Sequence, residues 1–162
     1  PEAQLDRFLM HVSVGYPDAE AELNILKLTR DEAKHTTVPK PTPLRQESIF
    51  SARKEILALH MSEAVEQYIV QLVIASREPG RYSEELATWI EFGGSPRATI
   101  ALDRCARARA WRRGQDFVGP DDVQAVAEDV LRHRLILTFE AEANGITTDR
   151  VIQELLALVP VG

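Results

Sequence analysis

Gly93-Gly94-Ser95-Pro96-Arg97-Ala98 opens the most clearly marked helix of the chain. Ser95 carries a hydroxyl suited to capping a first turn, and Pro96 fits the first helical position because no N–H is needed there. Ala98, Ala101, Leu102 and Cys105 then recur as a small-residue face for close packing, in a helix that runs to about Gly114. The two glycines allow another group to approach the backbone closely. Arg97, in the first turn, faces the positive end of the helix dipole at a cost of about 0.3–1 kcal/mol. Beside free N–H donors it is well placed for an anion such as a phosphate. A solvent-exposed arginine, or one paired with Glu91, is the plainer alternative.

Outward from this helix the chain reads as helical on both sides. Gly119-Pro120-Asp121-Asp122 starts the next helix, with proline first and acids in the first turn, and Arg132-His133-Arg134 ends it. Past Asn144-Gly145 a last helix spans 148–158. Upstream, Leu86, Trp89, Ile90 and Phe92 are the core anchors of a looser stretch. Ser62 caps a helix whose buried stripe is Val65, Ile69, Leu72, Val73 and Ser76, and Ile49, Ala52, Ile56 and Leu57 mark another over 46–58.

Pro39, Pro41 and Pro43 alternate with Lys40 and Thr42, which favours a stiff extended linker over 31–45. Before it, Asp18 caps a helix carrying Ala19, Leu23 and Leu26 to about Arg30. Phe8, Met10, Val12 and Val14 alternate with Leu9, His11 and Ser13, the period of a strand. A strand without a partner leaves its ladder groups unpaired. Its sheet is therefore expected outside this sequence, and Pro1 in place of a starting methionine suggests a piece of a longer protein.

The 162 residues are 44% hydrophobic and 27% charged, enough for a real core and unlike a disordered chain. A lone cysteine, Cys105, excludes a disulfide framework and a Cys-based zinc site and fits a cytoplasmic setting. Its place on the apolar face makes it a buried structural thiol. No apolar run approaches the roughly 20 residues of a membrane span, and no signal-peptide pattern opens the chain.

The catalytic vocabulary is sparse. Gly-Lys never occurs, so there is no phosphate loop, and His11, His35, His60 and His133 lack metal-ligand spacing, so no metal site is expected. Arg7, in Gln4-Leu5-Asp6-Arg7-Phe8, reads either as half of a surface pair with Asp6 or as an arginine projected at a phosphate. From 97 to 113 six arginines stand against one acid, Asp103, a net +5 that leaves −11 elsewhere in a chain of net −6. Such a stripe can bind nucleic acid. With no run of aromatics for base stacking, a charged helix face paired to carboxylates elsewhere accounts for it better.

Both arginine-bearing spots belong to one pattern. The run from Pro1 to Phe8 resembles the segment after sensor 1 in MoxR-family AAA+ ATPases, and Gly93-Gly94-Ser95-Pro96-Arg97-Ala98 resembles their sensor 2 motif, usually G-A-S-P-R-A. Gly119-Pro120-Asp121-Asp122-Val123, Asp129 to Leu135 and Phe139 to Ala143 are similar to the family as well. Gly94 departs from the usual alanine, and Gly119 stands where a threonine cap is common.

The resemblance implies a mainly α chain: a helical AAA+ lid over 46–162, the linker 31–45, and residues 1–30 as the last strand and helix of an α/β nucleotide-binding core. It implies that Arg7 is the arginine finger reaching a neighbouring subunit's γ-phosphate, and that Arg97 is sensor 2, with Ser95 and Gly94 at the same nucleotide-binding turn. Whether Arg97 serves its own subunit's nucleotide or a neighbour's stays open. The parent would use ATP and Mg2+, whereas the chain alone should not hydrolyse ATP. The implied partners are other subunits of a homo-hexamer, a von Willebrand A-domain protein and a client complex matured in a chaperone-like way. The competing readings are a free-standing helical adaptor, with Arg97 only a capping residue, and a small nucleic-acid-binding domain using the 97–113 stripe.

Overall fold

Most of the helices begin where the sequence supplies a capping side chain. In the computed structural model, which describes residues 2–34 and 41–161, the helices are α1 (Glu2–Leu5), α2 (Ala19–Lys34), α3 (Gln46–Ala58), α4 (Glu63–Arg77), α5 (Glu84–Trp89), α6 (Pro96–Arg112), α7 (Pro120–Leu131), α8 (Phe139–Ala143) and α9 (Thr148–Leu158). The hydroxyls of Ser62, Ser83, Ser95, Thr138 and Thr147 each accept a first-turn N–H, satisfying donors that have no partner within the helix. Gly119 cannot cap with a side chain. The Asp122 carboxylate accepts its N–H instead, at 3.1 Å.

Two compact units divide the chain: Ser13–Ser51, and Pro1–Val12 together with Ala52–Gly162. The first holds α2 and the start of α3. Asp18 Oδ1 accepts the Ala21 N–H at 2.8 Å, as expected of a cap. The helix runs four residues past Arg30, through Lys34, so the expected linker 31–45 begins in helix. None of its side chains is buried, Leu23 and Leu26 included. Pro41 and Pro43 lie in irregular chain, and Pro39 and Lys40 fall outside the described residues.

The core of the second unit is built by α4, α6, α7 and α9. Val65, Ile69, Leu72, Val73 and Ser76 of α4 are all buried, the stripe their spacing predicts. Ala98, Ala101, Leu102, Cys105, Ala106 and Ala110 form the buried face of α6, against Val123, Val126, Ala127 and Val130 of α7. Small side chains bring the two axes close, and each fully buried Leu or Val contributes about 1.5–3 kcal/mol. Val151, Ile152 and Leu155 close the core from α9. In the looser stretch Leu86 and Ile90 are buried and Trp89 partly so, but Phe92 is exposed and is not the anchor its hydrophobicity suggests.

Short strands join the helices: β1 (His60–Met61) pairs in parallel with β3 (Phe117–Val118), and β2 (Ile90–Phe92) pairs antiparallel with β4 (Ile136–Leu137), with an irregularity between Ile90 and Phe92. Pairs this short carry no readable alternation, so an all-helical lid was the natural expectation. The opposite error concerns residues 8–14. They alternate like a strand but form none. Several peptide groups of residues 8–11 are bonded by a helix end instead: His11 N–H donates to Asp129 O at 2.7 Å, and the side chains of Arg132, His133 and Arg134 donate to carbonyls of His11, Phe8 and Leu9. Those groups are satisfied without a ladder.

Candidate functional site

The helix-opening motif is positioned first by its glycines. A Cβ on Gly93 would lie 2.3 Å from the Ser76 carbonyl oxygen, so only glycine lets this turn pass α4. Gly94 is buried and donates its N–H to Ser76 Oγ at 3.0 Å; that hydroxyl in turn donates to Val73 O at 2.7 Å. The close approach that the glycines permit is therefore between helices, and the Gly94 N–H is engaged by α4. Ser95 Oγ accepts the Arg97 N–H at 3.1 Å and donates to Asp6 Oδ2 at 2.9 Å. The anion at the start of α6 is thus one of the chain's own carboxylates, and it offsets the cost of placing Arg97 near the positive dipole end.

Asp6 joins three groups. Besides Ser95, it pairs with Arg97 Nη1 at 3.3 Å and with Arg134 Nε at 3.1 Å. Burial alone would raise its carboxyl, but the hydrogen bonds from Ser95 and Arg97 and the Arg134 charge outweigh burial and hold it below the usual carboxylate range. The alternative pairings, of Asp6 with Arg7 and of Glu91 with Arg97, give way to this cluster. Arg97 remains about half exposed and donates only one N–H to Asp6, which leaves most of its guanidinium donors for another acceptor.

Arg7 and Arg97 line the same open cleft, about 380 Å³ in volume, together with Asp6, Arg104 and Arg134 and an apolar side of Phe8, Leu9, Ile100 and Ala101. Four guanidiniums face one carboxylate there. Arg134 is spent on the protein interior, but Arg7 and Arg104 are exposed. Sequence spacing missed Asp6 and Arg134 as members of the site because the contacts that join them to it span 89 to 128 residues. The donor set fits a phosphate group: several N–H forks converge on one basic concavity. Among the described residues no group of three or more His, Cys, Asp or Glu is arranged to hold a metal ion.

Part of the remaining arginine stripe is paired within the chain. Arg107 bonds Asp103 at 2.8 Å and the Leu59 carbonyl at 2.5 Å, while Arg109 and Arg113 pair with the buried Asp122 at 2.7 and 3.5 Å. Three of the six arginines counted toward nucleic acid are engaged in holding α6 in place. Cys105 is buried, and burial raises its thiol, as expected of a structural cysteine. Among the described residues no helix is long and apolar enough to cross a membrane.

Residues 84–155, which include α6 and α7, match the AAA lid domain. Over 161 residues, 98% of the chain, the sequence is 38% identical to the chaperone MoxR1 of Mycobacterium tuberculosis, covering 41% of that protein. It is 32% identical to the protein MoxR of Methylorubrum extorquens, over 99% of the chain and 50% of that protein. The fold superposes on a crystal structure of a proposed ATPase from Cytophaga hutchinsonii with a TM-score of 0.91 and 39% identity, over the whole chain and 49% of the other. The chain thus spans about half the length of the curated relatives it matches. A lid-domain match that includes the helix carrying Arg97, joined to similarity with MoxR proteins along nearly every residue, places this chain in the MoxR family of AAA+ ATPases, with the lid over the matched residues.

Proposed function

We propose that this chain presents two arginines to one nucleotide: Arg7 as the finger and Arg97 as sensor 2 of an ATP-hydrolysing assembly. The observation that carries the reading is their shared cleft. In phosphoryl transfer, charge spreads over the equatorial oxygens of the moving group, and positioned guanidiniums stabilise it; a finger arginine is worth about 10³–10⁵ in rate. Arg7 is exposed, on a segment held by the lid, and Arg97 keeps most of its donors free. Because one compact unit presents both, a nucleotide reached by Arg7 on a neighbouring subunit is reached by Arg97 as well, so both act in trans. Gly94 and Ser95 serve indirectly by fixing the start of α6.

On this reading the parent protein binds ATP with Mg2+, the phosphate loop and metal ligands coming from outside this sequence, and its subunits assemble as a ring, by the resemblance a homo-hexamer. Loss of the γ-phosphate removes the acceptor that both arginines share, and the lid moves as a body. The chaperone named among its relatives supports a role in maturing other protein complexes, where a von Willebrand A-domain protein is a candidate partner.

The test is turnover in the full-length ATPase. Arg7→Ala and Arg97→Ala should each lower it by about 10³-fold or more with the fold intact, and normal turnover in either variant refutes that residue's role. Mixing each variant with subunits lacking the phosphate loop should restore activity where the arginine acts in trans. Failure with Arg97→Ala but rescue with Arg7→Ala would assign Arg97 to its own subunit's nucleotide.

A further inference from the structure

Arg134 is nearly sealed from solvent, and its guanidinium has five N–H donors. All five are used. Nε donates to Asp6 Oδ1 at 3.1 Å; Nη1 donates to the carbonyls of Leu9, at 3.2 Å, and Val130; Nη2 donates to the carbonyls of Asp6, at 3.3 Å, and Phe8, at 2.5 Å. The acceptors bracket Arg7, since Asp6 and Phe8 are its two chain neighbours. One more backbone tie follows, from His11 N–H to Asp129 O on α7. On its other side the Asp6 carboxylate grips Ser95 and Arg97.

We propose that Arg134 is a positioning residue for Arg7: from the end of α7 it clamps the peptide groups on either side of Arg7 and, through Asp6, locks that segment to the start of α6, so that Arg7 and Arg97 move as one body with their own lid. The inference rests on the functional reading above for its catalytic consequence, but the clamp stands on geometry alone. A lysine cannot replace the fork, because it offers three donors from a single point.

Two measurements test it. The first uses this 162-residue chain. By amide hydrogen exchange, the His11 N–H should be protected in the wild type and lose that protection in Arg134→Lys, while the α4, α6 and α7 amides keep theirs. Should Arg134→Lys fail to fold, Asp6→Asn removes the same link from the other side and is expected to loosen residues 4–11 in the same way. An unprotected His11 amide in the wild type, or unchanged protection in a folded variant, overturns the clamp.

The second uses the full-length ATPase. Arg134→Lys should lower kcat by roughly 10²-fold, with KM for ATP nearly unchanged. The double variant Arg7→Ala/Arg134→Lys should turn over no more slowly than Arg7→Ala alone, because a residue acting only through Arg7 adds nothing once Arg7 is gone. Multiplying effects would overturn positioning and leave Arg134 merely structural. Normal turnover in Arg7→Ala would overturn the functional reading, and the exchange experiment would still decide the clamp.

Discussion

Arg134 Nε lies 3.1 Å from Asp6 Oδ1, although 128 residues separate them. Their contact joins the beginning of the chain to the end of α7 and, because Asp6 also holds Ser95 and Arg97, to the start of α6. A buried guanidinium left without its carboxylate is costly, so each partner requires the other. Through this contact a segment that looks like a stray strand becomes part of the lid.

The docked segment should be acid-sensitive in two windows. His133 Nε2–H donates to the Phe8 carbonyl at 3.2 Å, while the buried Nδ1 has no partner. Burial, with Arg134 and His11 nearby, lowers the His133 imidazole despite the Phe8 bond. With its folded pKa depressed, His133 contributes its full stability above the ordinary value of about 6.5, and that stability is lost as pH falls through the folded value. Asp6, also depressed, loses its contribution only below the usual carboxylate range near 3.8. Melting temperature should therefore fall on acidification from pH 7 to pH 5, and His133→Gln should flatten that slope. An unchanged slope in the variant would exclude His133 as its source.

Two adjacent glycines should behave differently. A Cβ on Gly93 meets the backbone of Ser76 at 2.3 Å, which a rotamer change cannot relieve, so Gly93→Ala should cost about 3 kcal/mol or more. A Cβ on Gly94 would meet the Ala98 methyl at 3.1 Å, a contact relieved by a shift of a few tenths of an ångström, so Gly94→Ala should stay within about 1 kcal/mol of wild type. Denaturant unfolding of the two variants settles the contrast.

Asp122 is nearly sealed, pairs with Arg109 at 2.7 Å and accepts the Gly119 N–H at 3.1 Å. Asp122→Ala strips α7 of its cap and leaves two guanidiniums without their carboxylate. The expected loss is about 2–4 kcal/mol. Gly119→Thr supplies a side-chain cap where this chain has none, and should recover part of it in the double variant. A loss below about 0.5 kcal/mol in Asp122→Ala, by denaturant unfolding, would contradict the pairing.

The helices were legible because caps and periodicity are local. Ser62, Ser95 and Pro120 mark their starts in sequence, and the stripe from Val65 to Ser76 is buried as its spacing requires. The segment 8–14 was misread because alternation reports which side chains share a face, whereas strand formation needs a partner ladder, and here side chains of the α7 end bond the carbonyls of Phe8, Leu9 and His11. Phe92 was misread because hydrophobicity does not say which surface a residue meets.

The two arginines that matter most were visible in the sequence, Arg97 from its place after a serine–proline cap and Arg7 by resemblance. Their shared cleft was not, nor was Asp6 as the carboxylate between them. Local chemistry, the caps, the helix faces and the small-residue seam of α6, is determined by neighbours three or four residues apart, and the sequence displays it. Which carboxylate answers which guanidinium is decided by contacts spanning 91 and 128 residues. Only packing brings those groups within hydrogen-bond reach, because no local spacing encodes where the start of the chain will dock.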